Sequence, residues 1–115
     1  MMNARTFTKA QKREIRRLAG LAYERELFAA AAALEEDFKR WRRGELDVFA
    51  LNEQIHKYHN GVSRELYKLY AMGDPGLSVA IAARRGVLQE KEVMPDIADC
   101  IGCLAEIFKE VAAEK

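Results

Sequence analysis

Cysteine, proline and long apolar runs are all scarce in this chain, and each scarcity excludes something. Two cysteines in 115 residues, Cys100 and Cys103, are too few for a disulfide scaffold. Two prolines, Pro75 and Pro95, leave long stretches with nothing to interrupt a helix. β-branched residues rarely cluster, so no segment asks to be a strand. The longest apolar run, residues 27–34, is mostly alanine and far short of the ~20 residues that cross a bilayer. The basic start of the chain lacks the apolar core of a signal peptide. It runs without a break into a longer amphipathic pattern that includes Glu14, which argues against a transit peptide. The expectation is a cytoplasmic protein with no membrane association.

What is present suits one globular helical domain over residues 1–115. Apolar residues make up 50% and charged residues 32%, a balance that disfavours general disorder. Alanine and leucine are abundant and favour helix. The net charge is only +1, but residues 1–43 carry +5 and residues 44–115 carry −4. That asymmetry can steer a partner or orient self-association.

Capping signals divide the chain into four helices. Thr8 with Gln11 fits a capping box, and Gly44 is a natural C-terminal cap, so the first helix is predicted over about 8–43. Its apolar positions are Ile15, Leu18 and Ala22, continued by Leu27, Ala30, Leu34, Phe38 and Trp41 at steps of three and four. Asp47 caps a second helix predicted over 47–72. Its stripe is Val48, Ile55, Val62 and Leu69, with Leu51, Tyr58 and Leu66 between. That phase is expected to survive Asn60-Gly61; the alternative is a break at Gly61 with Ser63 recapping. Gly73, Asp74 and Pro75 stop one helix and start the next, predicted over 75–85. Residues 87–94 connect to a last helix over 95–113, with one helical turn possible at 89–92. The fold class is all-α: a four-helix bundle-like packing of two long antiparallel helices and two shorter ones. The short helices cannot cover all of a first helix roughly 50 Å long, so a homodimer is expected.

Several residue groups invite a functional reading. His56, His59, Cys100 and Cys103 form two pairs spaced by three, and such pairs on helices share a face. Two imidazoles and two thiolates suit tetrahedral zinc if the pairs converge; otherwise no cofactor is expected. The cysteines read equally as small core residues, and a redox site is disfavoured because no strand precedes them. Basic residues gather at Lys12, Arg13, Arg16 and Arg17 and again at Arg40, Arg42 and Arg43, where phosphate backbones or a protein partner can bind. Trp41, Tyr58, Tyr67 and Tyr70 are amphipathic enough to line an interface or groove. No Gly-rich phosphate loop and no nucleophile with an acid-base set is legible, so no enzymatic activity is expected. The leading expectation is an interaction module, a homodimer binding a protein partner. A zinc-binding bundle and a nucleic-acid accessory protein are the alternatives.

Overall fold

The computed structural model describes residues 7–114, and helices with their connectors account for all of them. No strand occurs among the described residues. Helix α1 spans Lys9–Arg42. Helix α2 spans Val48–Lys57 and passes without a turn into a π-helical segment, Tyr58–Ser63, and then into α3, Arg64–Tyr70. Helix α4 spans Pro75–Arg84, a single 3-10 turn covers Glu90–Glu92, and α5 and α6 span Pro95–Cys100 and Leu104–Ala113.

The predicted caps form as hydrogen bonds. Thr8 N–H donates to Gln11 Oε1, and Gln11 N–H donates to Thr8 Oγ1, both at 3.0 Å. Asp47 accepts from Ala50 N–H at 2.7 Å and Asp74 from Leu77 N–H at 2.9 Å. Gln89 and Glu92 close a second capping box around the 3-10 turn. Helices α1 and α4 both end in a Schellman turn. The bonds are Glu45 N–H to Arg40 O at 2.9 Å and Val87 N–H to Ala82 O at 2.9 Å. Gly44 (φ 79°) and Gly86 (φ 77°) take the left-handed position that the turn requires.

The described chain divides into two compact units. One is drawn from residues before 23 and after 72, the other is Tyr23–Met72. The first unit holds a conventional core of Leu18, Val79, Leu88, Ile97, Ile101 and Leu104, all nearly inaccessible. Its α4 presents Ala80, Ala82 and Ala83 as buried small residues, which lets other helices approach closely. Arg84 donates to Glu110 at 2.8 Å, tying α4 to α6 through an exposed pair. Such a pair adds little stability.

The second unit is a helical hairpin made by residues 23–42 of α1 and the returning α2–π–α3 helix. Tyr23 meets Tyr70 near its open end. Farther along, Ala30, Ala33 and Leu34 face Gln54, Tyr58 and Val62, so the two helices run antiparallel. The α1 side presents Tyr23, Leu27, Ala30, Leu34, Asp37 and Trp41 as its half-buried row, a 4-3-4-3-4 spacing that matches a coiled-coil seam.

Two expectations require correction. The return helix does not keep its phase through Asn60-Gly61. Its buried residues are Leu51, Leu66 and Tyr70, whereas Val48, Ile55 and Val62 are 52%, 37% and 44% exposed. Leu51 and Tyr70 stand nineteen positions apart, about 5.3 turns of ideal α-helix, which puts them on different faces. The π-helical segment accommodates one extra residue, and the remaining eighteen positions make about five whole turns. The second correction concerns residues 95–113. Ile101 leaves the helix in an extended conformation (φ −95°, ψ 94°), and α6 starts afresh at Leu104. Gly102 weakens the helix there, while Cys100, Ile101 and Leu104 all remain buried across the break.

The π-helical insertion generates a test. Deleting Gly61 should convert the return helix to regular α-helix with its buried face in register, keeping the unfolding free energy within ~1 kcal/mol of the parent. Inserting one alanine after Gly61 should cost about 2 kcal/mol or more by misaligning the same face. Urea denaturation followed by circular dichroism measures both. Equal destabilisation by the two changes would refute the assignment.

Candidate functional site

The hairpin unit carries the features that distinguish this molecule. Among the described residues, fifteen of the eighteen buried hydrophobic ones lie outside the hairpin, and Leu51, Leu66 and Tyr70 lie within it. Of the ten exposed large hydrophobic residues among those described, eight belong to the hairpin, including Phe28 at 75%, Phe49 at 82% and Val62 at 44%. A two-helix hairpin has little interior to offer, so its apolar side chains remain in contact with water.

A cluster at the open end of the hairpin holds its helices together. Tyr23 and Tyr70 stack with ring centroids 5.6 Å apart and planes 17° from parallel. Tyr70 Oη donates to Glu26 Oε2. The stack fixes the ring orientation and the charge-assisted bond anchors the buried phenol, so Tyr70 is a core residue and not the groove residue expected from sequence. Tyr23 and Glu26 escaped sequence reasoning, although Tyr23 stands four before Leu27 in the 4-3 spacing of the seam.

Two concave surfaces flank the return helix. One is a shallow groove lined by Ala30, Ala33, Leu34 and Asp37 from α1 and by Gln54, Lys57, Tyr58 and Val62 from the other helix. Its floor is small and apolar on the α1 side, and Tyr58 is half-buried along it. The other is a polar cavity of about 420 Å³ lined by Tyr23, His59, Asn60, Ser63, Arg64 and Tyr67. The π-helical segment contributes His59, Asn60 and Ser63 to it, and Arg64 and Tyr67 follow from the first turn of α3.

The histidine and cysteine pairs lie in separate units. His56 and His59 are exposed, on α2 and on the π-helical segment. Cys100 is buried at the end of α5, its thiol donating to Ile97 O at 3.4 Å, and Cys103 is exposed at the start of α6. The helix break separates the two cysteines, so they do not share one helical face as their spacing suggested. Among the described residues, no three or more His, Cys, Asp and Glu side chains are grouped as a metal ion would require.

Local acids engage much of the basic charge. Arg17 makes a two-pronged contact with Glu14 at 2.8 and 2.7 Å, and that hydrogen bond holds the Glu14 carboxyl below its ordinary range. Arg40 lies 3.6 Å from Asp37, and Arg43 lies 2.6 Å from Glu45. Arg42 instead sits 4.9 Å over the ring of Trp41, which is half-buried and meets Phe38 edge-on at 6.5 Å. Lys12, Arg13 and Arg16 are exposed, and Lys12 and Arg16 border a shallow depression with Asp74 and Gly76.

No helix among the described residues is long and apolar enough to cross a membrane. Compared with known proteins, the chain matches no family model, no curated protein and no solved structure.

The tyrosine cluster has a measurable weight. Tyr70→Phe keeps the stack but leaves Glu26 without its phenol, and should cost about 1–3 kcal/mol in unfolding free energy. Tyr67→Phe, at a 53% exposed ring, should change stability by less than ~0.5 kcal/mol. Equal effects in chemical denaturation would remove Tyr70 from the anchoring role.

Proposed function

We propose that this chain is a helical interaction module that forms a homodimer through the Ala30, Ala33, Leu34, Tyr58 and Val62 groove of its hairpin and presents the assembled surface to a protein partner. The observation that supports it is the imbalance of burial: one unit holds most of the core, and the other holds most of the exposed apolar side chains. Exposed apolar side chains gathered on one unit suit a surface that another chain covers, and a second copy is always present at matching concentration.

The chemistry of the groove fits a second helix. Alanines at 30 and 33 leave room for close helix approach, as in tightly packed helical bundles. Charge on the same helix is self-complementary: the acidic Glu35, Glu36 and Asp37 directly precede the basic Lys39, Arg40, Arg42 and Arg43. A two-fold axis that sets α1 against its own copy in antiparallel fashion brings each block opposite the other. The hairpin's own ion pairs in this stretch are exposed and exchangeable.

Sedimentation equilibrium checks the reading. The parent chain should be a dimer at micromolar concentration. Ala33→Glu should shift it to monomer, with the dissociation constant raised tenfold or more, about 1.4 kcal/mol. Ala31→Glu lies outside the groove and should leave the dimer intact with the same helical content by circular dichroism. A monomeric parent overturns the proposal, and so does a dimer broken by Ala31→Glu but not by Ala33→Glu.

A further inference from the structure

The polar cavity beside the π-helical segment has a composition that the dimer does not require. All six lining residues bring a hydrogen-bonding group: the phenols of Tyr23 and Tyr67, the imidazole of His59, the amide of Asn60, the hydroxyl of Ser63 and the guanidinium of Arg64. No acidic residue lines it. The nearest acid in sequence to Arg64, Glu65, pairs with Lys68 at 4.0 Å, and no ion pair among the described residues engages Arg64. Arg17, Arg40, Arg43 and Arg84 each hold a carboxylate, whereas Arg64 stands in a concave site that no carboxylate lines. A guanidinium among hydrogen-bond donors with no carboxylate beside it is an anion-recognising arrangement, because its planar fork matches two oxygens of a phosphate.

Two further observations define the ligand. The wall of the cavity is preorganised, since the Tyr23 ring is held against Tyr70, which Glu26 in turn anchors. The exposed ring of Tyr67 offers a second aromatic surface. A volume of about 420 Å³ falls in the range of small-molecule sites. We infer that this cavity binds a small phosphate monoester carrying a planar ring, with Arg64 gripping the phosphate, the phenol, amide and hydroxyl groups completing its oxygen contacts, and the tyrosine rings flanking the planar part. A phosphate is favoured over a carboxylate because its three terminal oxygens can use more of the surrounding donors. The π-helical segment has a role here as well: the residue it adds to keep Leu51 and Tyr70 on one face widens the turn that carries His59, Asn60 and Ser63.

The test is a titration of the isotope-labelled full chain by two-dimensional NMR, with phenyl phosphate, inorganic phosphate and benzoate as probes. Phenyl phosphate should cause saturable shifts of the amides of residues 59–67 and bind at millimolar concentration or tighter. Inorganic phosphate should bind the same residues more weakly, and benzoate more weakly than phenyl phosphate. Arg64→Gln, at an exposed position outside the core, should weaken phenyl phosphate binding by about tenfold or more, whereas Arg13→Gln should leave it unchanged. Tyr67→Ala should remove the advantage of phenyl phosphate over inorganic phosphate. The inference is overturned by the absence of saturable shifts, by parental affinity in Arg64→Gln, by equal loss in Arg13→Gln, or by benzoate binding as tightly as phenyl phosphate. None of these readouts depends on the oligomeric state.

Discussion

A helix can bury only one stripe of its surface against a single neighbour, and that constraint shapes the hairpin. Residues 23–42 of α1 meet it with a regular seam. The returning helix must hold Leu51, Leu66 and Tyr70 on a common face, and their spacing does not fit 3.6 residues per turn. One additional residue, absorbed where Asn60, Gly61 and Ser63 have weak helix propensity, restores the alignment. The same adjustment places His59, Asn60 and Ser63 beside Tyr23. The polar cavity is thus a product of that change of phase.

How far the sequence revealed this architecture depended on how local the signal was. Helix ends were legible because caps act within four residues: Thr8 with Gln11, Asp47, Asp74 with Pro75, and the glycines at 44 and 86 all sit where the backbone needs them. The all-α class followed from the scarcity of strand-forming clusters and of prolines. The buried face of the return helix was not legible, because Val48, Ile55, Val62 and Leu69 form a perfect seven-residue repeat, whereas the buried positions are Leu51, Leu66 and Tyr70. The break at Ile101 was hidden for a similar reason. Residues 97, 101, 104 and 108 repeat as a helix would, and all are buried whether the helix continues or restarts.

The candidate sites were legible only in part. Tyr67 and His59 were singled out by residue type and do line a cavity, but Tyr70 was assigned to the wrong environment because sequence gives no hint that Glu26 sits opposite its hydroxyl. Arg64 lies outside both basic clusters and is inconspicuous in the sequence. Its significance lies in an absence, the missing carboxylate, which only the three-dimensional arrangement exposes. The basic clusters looked prominent because acids three positions away, Glu14, Glu36 and Asp37, are inconspicuous in a linear reading and become direct partners on a helix.

The tyrosine stack also bears on the entropy of closing the chain. The hairpin interrupts the other unit: its fifty residues separate the two stretches of chain that supply that unit's core. Joining those stretches directly would require closing a long, floppy loop, an entropic cost that grows with the logarithm of the loop length. The Tyr23–Tyr70 stack, with ring centroids 5.6 Å apart, holds the two ends of that fifty-residue stretch close together. With the hairpin formed, the loop between the two stretches is effectively short, which lowers the entropic cost of bringing them together, so the least buried part of the molecule eases the closure of the most buried part.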